Sequence, residues 1–79
     1  MAYIDMEING TDLITPGPFF SALRAMDKLK PGQVLKITTN EATSVNLFER
    51  LCLQLGYKLM ESVAWNNEYT LLIKKALRH

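Results

Sequence analysis

The chain has 79 residues, of which 48% are hydrophobic and 22% charged, with a formal net charge of +1. That suits one small domain spanning residues 1–79, a size at which folding buries only about 60% of the unfolded chain's surface. So even a balance excludes a whole-surface electrostatic footprint for nucleic acid or anionic lipid.

Tyr3-Ile4-Asp5-Met6-Glu7-Ile8 alternates apolar and polar side chains and predicts a first strand, ended by the turn residues Asn9-Gly10-Thr11-Asp12. After Leu13-Ile14-Thr15-Pro16-Gly17-Pro18 a helix is expected to run to about Leu29. Phe19, Ala22, Leu23, Met26 and Leu29 recur at helical spacing, and Arg24, Asp27, Lys28 and Lys30 fall largely on the other side. Pro31-Gly32 stops it.

Val34-Leu35-Lys36-Ile37-Thr38-Thr39 is rich in β-branched residues and predicts a second strand. Residues 40–44 then offer several candidate N-caps for a second helix. In that helix Leu47, Phe48, Leu51, Cys52 and Leu55 form an apolar stripe, and Gly56 follows where a terminating glycine belongs. A third strand from Tyr57 to Ala64, a turn at Trp65-Asn66-Asn67-Glu68 and a fourth strand from Tyr69 to Lys75 complete the chain. The order β-α-β-α-β-β closes most simply as an α/β two-layer sandwich: a four-stranded mixed sheet with both helices on one face. The first two strands are expected parallel, through a right-handed crossover, and the last two antiparallel.

Cys52 is the sole cysteine, so no internal disulfide and no cysteine-based metal site can form. No apolar run approaches the roughly 20 residues needed to cross a bilayer. Residues 1–7 lack the basic-then-apolar pattern of a signal peptide, and the reading is cytoplasmic.

At Leu13-Ile14-Thr15-Pro16-Gly17-Pro18 the sequence resembles the TusA/SirA family of small sulfur carriers, which opens its first helix with Cys-Pro-x-Pro. Leu13 and Pro16-Gly17-Pro18 match, and Thr15 stands at the cysteine position. The likeness continues through Leu29-Lys30-Pro31-Gly32-Gln33-Val34-Leu35, through Leu51-Cys52 four residues before Gly56, and through the closing strand Tyr69-Thr70-Leu71-Leu72-Ile73-Lys74-Lys75. There are departures besides the cysteine. Asn9, Asn40 and Asn46 fall where the family pattern has carboxylates, Asp12 where it has glycine, and Tyr57 where it has histidine.

The resemblance implies a persulfide carried on the motif cysteine, where a helix start lowers a thiol's pKa. A threonine hydroxyl cannot hold a persulfide. It acts as a nucleophile only with a base beside it, and the sole histidine is His79. Thr15 reads instead as an N-cap with Pro16 at the first helical position, and no catalytic residue is assigned. Cys52, on the apolar stripe, reads as a small buried hydrophobe. Arg24, Lys28 and Lys30, with Lys36, make either a modest basic partner surface or a plain solvated face. Trp65 is either a partner contact or an aromatic folded over the sheet edge.

Three functions stay open at this point. The first is a non-catalytic binding or adaptor domain with a protein partner of the sulfur-relay type. The second is a sulfur-transfer protein using Cys52 or a partner thiol. The third is a ligand- or RNA-binding module of the same fold. No cofactor, metal or membrane is indicated.

Overall fold

The computed structural model describes residues 4–9 and 17–76, with side chains described from Leu23 onward in the second stretch. The elements are β1 (Met6–Asn9), α1 (Gly17–Lys28), β2 (Val34–Thr39), α2 (Ala42–Leu55), β3 (Lys58–Trp65) and β4 (Glu68–Lys74). The four strands make one mixed sheet in the order β1-β2-β4-β3. β1 is parallel to β2, and β4 runs antiparallel to both β2 and β3. A parallel pair cannot be joined by a tight turn, and α1 makes the crossover.

Alternation along β2 and β4 turns Leu35, Ile37, Leu71 and Ile73 to one face, where Leu35 opposes Ile73 and Ile37 opposes Leu71. Met26 and Leu29 come onto this face from α1 and its exit, and Phe48 and Cys52 from α2. Both helices therefore cover the same side, as their apolar stripes predict. On the other side Glu7, Lys36, Leu72 and Glu61 line up as one row across the four strands. Within that row Lys36 pairs with Glu7 at 3.9 Å.

Several boundaries differ from the expected ones, each for a local reason. β1 begins at Met6, because the Asp5 carboxylate accepts the Val34 N–H at 2.8 Å where a longer strand would use a carbonyl. Tyr3 and the turn at 10–12 lie outside the described residues. The hairpin turn is tighter than expected. Asn66 and Asn67 both take positive φ, 52° and 63°, so a two-residue turn suffices and Trp65 and Glu68 become a strand pair.

The stripe on α2 is also narrower than expected: Leu47 and Leu55 are exposed, and the buried line is Ser44, Phe48 and Cys52, four residues apart. Leu51 is half-buried against the core, Leu23 on α1 is half-buried without joining the core cluster, and Met26 is fully buried. Phe19 lies in the part of α1 whose side chains are not described. Gly56 ends α2 in the left-handed region at φ 72°, the conformation for which glycine is preferred.

Ser44 is the unusual member of that line. It is fully buried in the first turn of α2, and its Oγ has no hydrogen-bond partner among the described residues. A buried hydroxyl without a partner costs free energy, and alanine is the better helix former. Ser44→Ala should therefore raise stability by about 0.5–1 kcal/mol. A fall in the urea midpoint would show that the hydroxyl is engaged.

Candidate functional site

Because β1 and β2 are parallel, their carboxyl ends meet one edge of the sheet, and both helices begin there. Asn9 closes β1 opposite Thr38, and Asn40 follows the end of β2. Gly17 opens α1, and Glu41 stands at the N-cap of α2 with its backbone N–H held by Thr39 Oγ1 at 3.2 Å. Two helix starts side by side turn backbone N–H groups and the positive ends of two macrodipoles toward the same edge. Such an edge suits an anionic group.

Of the residues singled out from the sequence, Thr15 and Pro16 lie outside the described residues, and Gly17 and Pro18 are the first two of α1. Asn9 and Asn40 come together at this edge. Tyr57 does not: it follows Gly56 at the far end of α2, where its N–H bonds the Cys52 carbonyl at 2.9 Å.

Arg24 and Lys28 are exposed on α1, and Lys30 is exposed just beyond it. Lys36 is not part of that group. It alternates with Leu35 and Ile37, so it projects from the helix-free face toward Glu7. Sequence reading passed over Lys75, whose Nζ donates to the Met26 and Leu29 carbonyls at 2.9 and 2.8 Å across the end of α1. A lysine after a strand carries no pattern that announces this role.

Cys52 is 3% exposed and joins the core cluster. It lies ten residues into α2 from Ala42, roughly 15 Å along the axis from the helix starts. Burial, with a lesser push from Glu49, raises its thiol from 9.0 to about 11. A higher pKa in the folded than in the unfolded state adds stability that is complete below pH 9 and lost as pH rises toward 11. Relative to Cys52→Ala, the native chain should lose stability across that window. Denaturant midpoints at several pH values check this, and parallel curves for the two proteins would refute it. Alkylation at neutral pH should reach the thiol only through unfolding.

Residues 6–75 match the family model described as Sulfurtransferase TusA. The chain belongs to the TusA family. The sulfur carrier protein TusA of Allochromatium vinosum is 33% identical over 76 residues, covering 96% of this chain and all of that protein. The SirA-like protein of Desulfitobacterium hafniense superposes with a TM-score of 0.80 at 19% identity, covering 91% of this chain and 99% of that one, and shares the fold. Among the described residues of this TusA-family chain no cluster of three or more His, Cys, Asp or Glu could hold a metal ion. No helix among them is long and apolar enough to cross a membrane.

Proposed function

We propose that this TusA-family domain is a non-catalytic protein-binding module linked to sulfur trafficking. It docks sulfur-relay proteins through the edge where α1 begins and along the exposed side of α1, with Arg24, Lys28 and Lys30, and carries no sulfur of its own. The position of the only cysteine carries this reading. Persulfide transfer requires a thiolate to attack the outer sulfur of a donor persulfide, which breaks that S–S bond and releases the donor thiolate. Burial holds the Cys52 thiol protonated at neutral pH and leaves it 3% exposed, and Thr15, which reads as standing where the family has its cysteine, cannot hold a persulfide. A cytoplasmic location goes with this reading.

Incubation with a persulfide-loaded cysteine desulfurase, followed by intact mass measurement, is the direct test. The native chain should gain no sulfur atom, whereas a gain mapped to Cys52 would establish a carrier instead. The docking geometry has its own test in Thr15→Cys, made in a Cys52→Ala background. A thiol placed over a helix start should alkylate with a midpoint below the ordinary value of about 8.5. A midpoint at or above that value would remove the basis for docking at this edge.

A further inference from the structure

We propose that the cleft between the end of α2 and the start of β3 is a binding site for a small apolar amine. The cleft is half open to solvent, holds about 330 Å³ and is lined by Glu49, Cys52, Leu53, Tyr57 and Leu59. Glu49, Cys52 and Leu53 share one flank of α2, being three and four residues apart. Buried Cys52 makes the floor, and Leu53, 84% exposed, makes the outer wall. Gly56 turns the chain back, and the bond from the Tyr57 N–H to the Cys52 carbonyl holds Tyr57 against the helix end. Leu59 stands opposite, fixed by pairing with Ile73 in the sheet. The walls are thus a helix, its cap and a strand, so the cleft is formed before any ligand arrives.

Glu49 decides the class of ligand. It is the one charged side chain in an otherwise apolar and aromatic lining, and it is half-buried. Among the described residues its carboxylate has neither an ion pair nor a hydrogen bond. Its neighbours one helical turn away, Val45, Asn46, Cys52 and Leu53, carry no positive charge. Arg50 turns to the opposite flank of α2, where it lines a separate groove with Leu47, Leu51 and Gln54. Lys58 stands between Tyr57 and Leu59, but strand alternation sends it to the helix-free face, opposite Lys74. A carboxylate drawn partly out of water gains from an ammonium beside it, and the apolar walls take a hydrocarbon body. The volume limits that body to roughly one six-membered ring and a two-carbon tether. The same carboxylate turns away anions. This cleft is at the far end of α2 from the helix starts, so its failure would leave the docking proposed there intact.

The test follows the methyl signals of Leu53 and Leu59 in the full chain as 2-phenylethylamine is added at neutral pH. Both should shift and saturate, with a Kd of about 1 mM or tighter. 2-Phenylethanol, which puts a neutral hydroxyl in place of the ammonium, should bind at least about tenfold more weakly. Glu49→Gln, at a partly exposed helix position, should erase the preference for the amine over the alcohol. Leu53→Lys, on a side chain already in solvent, keeps the fold and sets a positive charge at the rim. Amine binding to it should fall at least about tenfold. The proposal is overturned if no shift saturates below about 10 mM amine, or if the alcohol binds as tightly. A preference that survives Glu49→Gln overturns it as well. So does saturable binding that leaves the Leu53 and Leu59 methyls unmoved, since the amine then sits elsewhere.

Discussion

Phe48→Ala is expected to bring the domain close to unfolding at room temperature. The ring is fully buried on α2, in one cluster with Leu35 and Ile37 of β2, Leu71 and Ile73 of β4, and Met26 of α1. Its loss opens a cavity where every layer of the fold converges, so no single neighbour can relax to fill it. Truncations of this kind cost about 3–5 kcal/mol, and a domain this small sits near the low end of the usual range of about 5–15 kcal/mol. The measurement is a urea titration followed by far-ultraviolet circular dichroism. Trp65 fluorescence is a poor reporter, since the indole is already 80% exposed when folded. Leu53→Ala is the control: at an exposed position it should change stability by no more than about 0.5 kcal/mol. A Phe48→Ala midpoint within experimental error of that control would contradict the packing described.

Lys75→Met should produce the second large loss. Helix α1 ends without a glycine cap, because the chain leaves it through the turn at Lys30-Pro31-Gly32-Gln33, closed by Gln33 N–H to the Lys30 carbonyl at 3.0 Å. That leaves carbonyls at its last turn in need of donors. The Lys75 ammonium supplies them at Met26 and Leu29, with a longer contact of 3.5 Å to Asp27. Its approach is fixed by the backbone on both sides. The Lys75 N–H bonds the Gln33 carbonyl at 2.9 Å, and its carbonyl accepts the Gly32 N–H at 3.1 Å.

Together the hydrogen bonds of this one half-exposed ammonium, aided by the negative end of the helix dipole, are worth about 1.5–3 kcal/mol. Methionine keeps the aliphatic stem and removes only the donors, so the expected cost lies in that range. Thermal melts give the size. Amide exchange in the last turn of α1, which should quicken more than in β4, gives the location. Unchanged exchange there would mean that solvent serves those carbonyls equally well.

Much of the fold was legible because each element announces itself through a period. The β2 segment needed only its β-branched run, and α1 and α2 only their apolar spacing. What escaped were effects that depend on a partner far along the chain. Ser44 reads as a candidate cap, yet it is buried, because β2 and β4 close over the face it occupies. Leu47 and Leu55 read as core and are exposed, because the helix presents a narrower seam to the sheet than its own spacing allows. Lys36 reads with the lysines of α1, and only strand alternation sends it to the other side. For the site, the likeness to the TusA family was carried by residues 13–18 and 29–35, whereas the isolation of Cys52 from the helix starts required the three-dimensional arrangement.

The position of β4 in the sheet bears on how the chain is made. It is the last of the described elements in chain order, yet it lies between β2 and β3 and contributes Leu71 and Ile73 to the centre of the core. A nascent chain emerging as far as α2 has β1 and β2 to pair but nothing on the other side of β2, so Leu35 and Ile37 lack their partners across the strand. Pairing of β4 with β2 completes the sheet on that side. Until β4 has emerged during synthesis, the edge of β2 is open to pairing with other chains.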